Sequence, residues 1–437
     1  MLEFSEAPND DKAVSAYNSR NIALISFAAF IWSIFFSIQG QYLNDFVADL
    51  NTYTPLKISL MVSLIALTGA IVSIVFGSIS DNLRFKFGRR KIFILTGGAS
   101  SALIFFLIPL NNAIAYIIAF NVLMSILNSI GFVCNNSFIP DITKQRKLGK
   151  INSLATLGTS LGTVAGFALM IIKSSSVVFF VSGAICSLGF LIVGLFLQEP
   201  KIESKPNKWY LEIKDTFQLK RIKSEKSFFN FLISHFLLHM GINVYLPFLL
   251  IFLTQQNDPL SNQPIGMGLS NEKGEILIIF AVMTIVSLLA SIPFGTIIDK
   301  FDTSLFLIIS RCGFAITSGL MALTPLLRNL NPLVVGILFI IPYSITNTAD
   351  IISRGALMHS LVPKEKRGQF LGFTIFAKII AQIPGVIIGG LLSQFLIRGY
   401  QFTFVIGGII LLLSIPFLTF VRNQTNNINT SKAPSIA

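Results

Sequence analysis

The sequence predicts an all-α membrane protein with twelve transmembrane helices, arranged as two six-helix parallel repeats. Of the 437 residues, 53% are hydrophobic and only 12% are charged, whereas about a quarter of the residues are charged in a soluble domain. The apolar residues fall in twelve runs of about membrane-spanning length, and landmark residues recur between the first six runs and the last six. This composition excludes a soluble enzyme, a disordered chain and a nucleic-acid-binding domain.

The twelve apolar runs are predicted to be helices. Backbone groups in lipid need hydrogen bonds within the protein, and the runs lack the alternating pattern of barrel strands. We refer to the runs as segments 1 to 12. In chain order they cover residues 21–43, 56–79, 91–110, 113–136, 150–172, 176–197, 227–254, 275–298, 304–325, 333–354, 370–396 and 402–421.

A long polar stretch divides the chain into two halves. The predicted organisation is an N-terminal six-helix half (1–197), a cytoplasmic connector (198–226) and a C-terminal six-helix half with a short cytoplasmic tail (227–437). The connector is charged and contains amphipathic fragments, which is typical of a segment that lies along a membrane surface.

The two halves share landmarks at nearly constant spacing. Gly77 and Asp81 end segment 2, and Gly295 and Asp299 end segment 8, 218 residues later. Gly166 and Gly385 occupy corresponding places in segments 5 and 11. Because each half contains an even number of spans, the repeats are predicted to be parallel in the membrane.

The basic residues predict the orientation of the chain. With both termini in the cytoplasm, 26 Lys and Arg residues lie on the inner side and 5 on the outer side. Lys and Arg concentrate in cytoplasmic loops of membrane proteins. We therefore expect a multi-pass protein of the cell membrane with both termini inside, and the net charge of +13 needs no nucleic-acid partner to explain it.

The loop after segment 2 reads GSISDNLRFKFGRRK, from Gly77 to Lys91. This loop resembles the signature loop of the major facilitator superfamily. The long spacing between Asp81 and Gly88 is similar to that in the branch that contains sucrose–proton and glycoside–pentoside–hexuronide cation symporters. The resemblance implies alternating access through a central cavity lined by segments 1, 4, 7 and 10. It also implies a cytoplasmic gate, whose expected residues are Gly77, Asp81, Arg84, Gly88, Arg89, Arg90, Gly295 and Asp299.

Polar residues inside membrane segments are costly and are treated first as functional candidates. His235, His239 and Asn243 are spaced four apart in segment 7 and so share one helix face, as do Lys378 and Gln382 in segment 11. Amides, hydroxyls and an indole ring suit a polyhydroxylated ligand, whereas packing between helices is the alternative. The predicted substrate-binding residues are Trp32, Gln39, Asn128, His235, His239, Asn243, Tyr343, Asn347, Lys378 and Gln382.

Asp350 is the one acidic residue well inside a predicted segment. It is the predicted coupling residue, which would bind a co-transported proton, and the alternative is a structural ion pair with Arg354, Lys378 or Arg311. Arg311 lies in segment 9, outside the expected cavity. We interpret Arg311 as structural or as extending toward a membrane surface.

Together these features predict a secondary transporter and not an enzyme. The leading expectation is symport of a sugar or polyol with a proton, by alternating access. An organic-anion transporter or exporter is the alternative, prompted by Lys378 and the two histidines, and a non-transporting membrane sensor is a remote one. No cofactor and no metal site are expected. The expected partners are a small-molecule substrate, a proton and the lipid bilayer, with the chain as a monomer.

The orientation can be tested by labelling single cysteines with a reagent that does not cross membranes. Pro259 is expected outside and Lys208 inside. A cysteine at position 259 should therefore react in intact cells, whereas one at position 208 should react only after permeabilisation. Labelling of position 208 from outside would contradict the predicted topology.

Overall fold

The computed structural model describes residues 19–50, 53–82, 90–141, 148–198, 224–254, 266–270, 274–298, 301–327, 329–361 and 367–432. These residues form helices joined by short connections, and they include no strand. The α-helices are α1 (Ser19–Ser37), α2 (Leu43–Ala48), α3 (Pro55–Asn82), α4 (Lys91–Leu103), α5 (Ile114–Asp141), α6 (Leu148–Leu169), α7 (Ser175–Phe196), α8 (Lys226–Tyr245), α9 (Leu249–Thr254), α10 (Glu275–Ile298), α11 (Thr303–Leu320), α12 (Pro332–Leu361), α13 (Arg367–Phe395), α14 (Gly399–Leu413) and α15 (Ile415–Lys432). A π-helical stretch, Ile38–Tyr42, joins α1 to α2, and 3₁₀ turns occupy Ile104–Phe106, Ile108–Leu110, Leu246–Phe248 and Met321–Leu327.

The predicted all-helical membrane fold is confirmed. Over the described residues, eleven spans are long and apolar enough to cross a membrane. The remaining predicted segment corresponds to α6, whose apolar part, Leu154–Leu169, is shorter. The predicted bounds agree closely with the helices, since segment 8 and α10 coincide at Glu275–Ile298. The first span is longer than predicted, because it continues through the π-helical stretch to Ala48.

The contacts within the chain define two compact units. Unit 1 comprises Met1–Gln39 and Ile71–Lys214, and unit 2 comprises Gly40–Ala70 and Asp215–Ala437. Residues 40–70 therefore pack with C-terminal helices in this structure. The sequence repeats predict a different division of the chain into halves, at the connector (198–226), and this division stays a prediction.

In unit 1, glycines bring α6 directly against α1. A Cβ atom at Gly158 would overlap the backbone carbonyl oxygen of Ser26, and one at Gly162 would overlap that of Phe30. Small residues allow close approach of helix backbones in membranes, where packing and not hydrophobic burial drives association. These glycines therefore set the distance between α1 and α6.

In unit 2, α13 approaches α8 in the same way. A Cβ atom at Gly385 would overlap the carbonyl oxygen of Met240, and one at Gly389 would overlap that of Val244. The fifth predicted segment thus packs on the first, and the eleventh packs on the seventh, through equivalent glycine contacts. This correspondence agrees with the repeat that the sequence predicts.

Within unit 2, side chains of residues 41–45 bind the junction of α8 and α9 and the end of α9. The α-helix is interrupted at Pro247, which has no N–H group to donate, and a 3₁₀ turn, Leu246–Phe248, separates α8 from α9. Gln41 donates to the Leu246 carbonyl at 3.2 Å, and Asn44 donates to the Pro247 carbonyl at 3.0 Å. Asp45 accepts a hydrogen bond from the Thr254 hydroxyl at 3.1 Å.

Asp302 caps α11 and ties it to α15. One carboxylate oxygen accepts from the backbone N–H groups of Ser304 (2.9 Å) and Leu305 (3.3 Å), and the other accepts from Arg422 at 2.8 Å. Partial burial raises the pKa of Asp302, but the hydrogen bonds from Arg422 and the two N–H groups outweigh it. The pKa of Asp302 consequently lies below its ordinary value.

Replacing Asp302 with alanine should cost about 1 kcal/mol of stability, because an N-cap side chain contributes that much. Asp302→Asn should lose less, since its amide oxygen still accepts from the backbone. Because the pKa is lowered by folding, the advantage of wild type over Asp302→Asn should be present above the ordinary carboxyl pKa and disappear as pH falls. Melting temperatures in detergent at neutral and acidic pH test this, and equal values for all three proteins at neutral pH would contradict it.

Candidate functional site

Unit 1 contains a polar seam between α1 and α5, which we call the amide seam (Trp32, Gln39, Asn121 and Asn128). Gln39 donates to the Asn121 side-chain oxygen at 2.9 Å. Two turns earlier on α1, the Trp32 ring lies 5.5 Å from the ring of Phe132, which follows Asn128 by one turn on α5. The two helices therefore run antiparallel, with polar groups at two successive levels.

Three polar atoms of the amide seam are unsatisfied. The Asn121 side-chain nitrogen, the Asn128 side-chain oxygen and the Trp32 indole nitrogen are buried without a hydrogen-bond partner among the described residues. Buried polar atoms are nearly always hydrogen-bonded in native proteins. The seam can therefore donate two hydrogen bonds and accept at least one from a bound molecule.

The ring of Trp32 is packed inside the protein. Rings of Phe35, Phe36, Phe132 and Phe190 surround it at centroid distances of 4.3 to 6.0 Å, and only 2% of the residue is exposed. This packing favours a structural role for the indole ring over the predicted stacking on a substrate. The indole N–H is the part of Trp32 that has no hydrogen-bond partner among the described residues.

Unit 2 places Asp350 between two arginines. Its Oδ1 lies 2.5 Å from Nε of Arg311, and its Oδ2 lies 3.3 Å from Nε of Arg354, one turn along α12. Arg311 also donates to the hydroxyls of Ser414 (2.7 Å) and Ser234 (3.4 Å). Asp350 and Arg311 are each 1% exposed. Arg311 is therefore structural and does not extend toward a membrane surface.

The predicted pair of histidines on α8 faces Arg354. The Nη1 group of Arg354 lies 3.1 Å from Nε2 of His239 and 3.5 Å from Nδ1 of His235. Because a guanidinium group can only donate, both histidine nitrogens act as acceptors. His235 also bonds to the backbone carbonyl of Thr374 on α13, so α8, α12 and α13 meet at this point.

The remaining predicted binding residues in unit 2 have different surroundings. Asn243 donates back to the His239 carbonyl at 2.7 Å within its own helix. The hydroxyl of Tyr343 lies 3.1 Å from that of Tyr245. Asn347 and Gln382 are half-buried, and Lys378 is exposed.

Lys378 lies near Arg354, His235 and His239 but takes no part in the hydrogen bonds between them. It interacts electrostatically with His235, His239 and Arg354. Within the part of the chain that the structure describes, Lys378 has no ion-pair or hydrogen-bond partner. The expected alternative of a Lys378–Asp350 pair is not observed, since Asp350 is paired with arginines.

The structure describes the predicted gate only in part. Helix α3 extends to Asn82 and so includes Gly77 and Asp81, although the Asp81 side chain lies outside the description, as do residues Arg84, Gly88, Arg89 and Asp299. Arg90 is buried just before α4.

Neither Gly77 nor Gly295 lies at a close helix contact. A Cβ atom at Gly77 would make an ordinary contact of 3.5 Å with Val133, and one at Gly295 would meet no described atom within 4 Å. Close helix approach is therefore not what these glycines provide in this structure, and the gate role stays a prediction.

Two functional candidates were missed in the sequence. Asn121 precedes Asn128 by seven residues, so the helical period places both on one face of α5, and this spacing could have identified it. Asp45 was missed because segment 1 was predicted to end at residue 43, whereas the span continues to Ala48. Asp45 is 8% exposed.

Comparisons with known proteins agree with this architecture. A family model described as Major Facilitator Superfamily matches residues 22–341 and 231–436. The solved structure of the nucleoside transporter NupG is 14% identical and superposes with a TM-score of 0.68, covering 92% of this chain and 98% of its own. A D-xylose-proton symporter is 17% identical (TM-score 0.65, 91% and 97% covered). A bacterial homolog to the human lysosomal transporter Spinster is 12% identical (TM-score 0.65, 96% and 98% covered). No curated protein matches the chain in sequence.

The contacts of Asp350 predict a large effect on stability. Asp350→Ala should destabilise the protein by about 3–5 kcal/mol, because it leaves the buried Arg311 guanidinium without a counter-charge. Arg311→Leu combined with Asp350→Leu should recover part of that loss. Asn347→Ala, on the same helix and half-buried, is the matched control. Thermal melting in detergent measures all three, and an unchanged melting temperature for Asp350→Ala would contradict the structural role.

Proposed function

Since the chain belongs to the major facilitator superfamily, whose members are transporters and not enzymes, we propose that it moves a small hydroxylated solute of the sugar or polyol type across the cell membrane by alternating access. Secondary transport is the general activity that the family and its solved relatives support. The solute class is the more specific part of the proposal.

The unsatisfied atoms of the amide seam are the observation that carries this proposal. A hydroxyl group both donates and accepts, so it can pair with the Asn121 and Trp32 N–H groups and with the Asn128 oxygen alike. The two levels of the seam are separated by seven residues, or about 10 Å of helical rise. A molecule with several hydroxyl groups can satisfy such separated atoms, which a single polar group cannot do.

The names of two solved relatives support the same solute class. One is a D-xylose-proton symporter and the other is a nucleoside transporter, so both proteins have hydroxylated substrates. At 17% and 14% identity, their residues are not transferred to this chain, and the support is for the kind of solute alone.

Proton symport is the second part of the proposal. Asp350 is the predicted coupling residue, and its two arginine neighbours favour the structural alternative. His239 is the next candidate on the same group of helices, since its Nε2 atom faces Arg354. In both cases the titrating group would lie at the contact of α8 with α12.

An exchange assay in proteoliposomes tests the proposed solute class. Liposomes loaded with xylose, a polyol or a nucleoside should take up the labelled form of at least one of them. Asn128→Ala should reduce this exchange about tenfold or more, because a ligand hydrogen bond in a buried site is lost. The control is Asn230→Ala, which removes an exposed hydrogen bond within α8 and should leave exchange unchanged. The absence of exchange for every hydroxylated solute would contradict the proposal.

Two further variants in the same assay separate gating from coupling. Asp81→Asn should slow turnover strongly while binding persists, because the predicted gate residue is removed. If Asp350 is the residue that couples proton movement to transport, Asp350→Asn should abolish solute accumulation driven by a pH gradient but retain exchange of solute across the membrane. Unchanged pH-driven accumulation in Asp350→Asn would exclude Asp350 as the coupling residue and direct the search to His239.

A further inference from the structure

Unit 2 carries an excess of positive charge within its membrane-spanning helices. Arg311, Arg354 and Lys378 lie on α11, α12 and α13, and among the described residues Asp350 is the acidic side chain that contacts the two arginines. One carboxylate therefore faces two arginines, and Lys378 adds a third cation near Arg354. Charged side chains are costly in a membrane unless they are paired, and their presence there indicates function.

The three cations differ in how fully they are engaged. Arg311 is 1% exposed, and it bonds to Asp350 at 2.5 Å and to two serine hydroxyls. Arg354 is 16% exposed, and its 3.3 Å contact with Asp350 lacks hydrogen-bond geometry. Lys378 is exposed. The single negative charge of Asp350 is shared between the two arginines, so positive charge remains in excess at Arg354 and Lys378 within the described residues.

Lys378 lies on the face of α13 that packs against α8. Thr374, one turn earlier, bonds to His235 through its carbonyl, and Gly385, two turns later, contacts Met240. The residue is also eleven positions into α13, or about 16 Å by helical rise. Both its direction and its depth argue against a lysine that extends along lipid to the membrane surface.

We propose that the transported solute carries an anionic group, a carboxylate or a phosphate, and that Lys378 and Arg354 bind it. Ammonium and guanidinium groups form charge-assisted hydrogen bonds with these anions, which are about twice as strong as neutral ones. Gln382, half-buried one turn after Lys378 on α13, offers an amide to a hydroxyl group of the same molecule. This inference rests on the proposed function and narrows its solute to a hydroxylated organic anion.

The histidines keep Arg354 oriented toward the solute. Both accept from its Nη1 group, while its Nε atom faces Asp350. Its second terminal nitrogen, Nη2, makes no hydrogen bond among the described residues. A guanidinium held on one edge in this way presents its other edge to an anion.

Matched ligands test the proposal on the wild-type protein. D-glucose is neutral, D-gluconate adds a carboxylate, and D-glucose 6-phosphate adds a phosphate. Binding to purified protein, measured by thermal shift and by titration, should be at least about tenfold tighter for one of the two anions than for glucose. Inorganic phosphate should compete only weakly, because it lacks the hydroxylated chain.

Variants of Lys378 then test whether this side chain binds the anionic group of the solute. Lys378→Gln should weaken binding of the preferred anion roughly ten- to hundredfold, the effect of losing a hydrogen bond to a charged group. Binding of glucose should not change. Lys378→Arg should retain most of the affinity, and Lys226→Gln, at an exposed lysine at the start of α8, should behave as wild type.

The outcomes separate this inference from the function on which it rests. If neutral sugars bind and exchange as well as the anions, or if Lys378→Gln folds and leaves anion affinity unchanged, the anionic solute is excluded and sugar transport stands. If no hydroxylated solute of either charge binds or exchanges, the proposed function itself fails. If Lys378→Gln does not fold, the comparison of anionic and neutral ligands on the wild-type protein still shows whether an anionic solute is preferred.

Discussion

The buried pair of Arg311 and Asp350 is the interaction around which the C-terminal helices of this protein are arranged. Arg311 on α11 bonds to Asp350 on α12, to Ser234 on α8 and to Ser414 between α14 and α15. A single guanidinium group therefore connects four parts of unit 2. Because lipid supplies no water to replace a lost partner, each of these groups must be satisfied within the protein.

The pair determines orientation more than it adds stability. A buried ion pair is often no more stable than well-packed apolar residues of the same size, so energy alone does not explain it. Its geometry sets the rotation of α12, however, and Arg354 follows Asp350 by one turn. With Asp350 held by Arg311, the Arg354 side chain is directed to His235 and His239 on α8. The structural pair thereby positions the group that we propose to bind solute.

The two units contain different kinds of buried polar groups. Unit 1 has neutral amides along α1 and α5, with three buried atoms that lack partners among the described residues. In unit 2 a buried carboxylate, Asp350, contacts two arginines, and a lysine, Lys378, lies near one of them. Neutral amides suit hydroxyl groups, whereas cations suit an anionic group. In each unit glycines bring the backbones of two helices together, and this close packing fixes the positions of the polar side chains.

The fold class, the approximate spans and the repeat follow from the sequence alone, because each depends on local composition and spacing. Hydropathy over about 20 residues identifies a span, and segment 8 was located to the residue at Glu275–Ile298. The shared face of His235 and His239 likewise follows from helical period alone. Only the tertiary structure decided which polar residues are engaged and which stay available. Asp350 and Arg311 are 39 residues apart, and Gln39 and Asn121 are 82 apart, so their pairing depends on how separate helices are rotated and packed. For the same reason the sequence could not tell that the Trp32 ring is enclosed by phenylalanines, or that arginines and not Lys378 pair with Asp350.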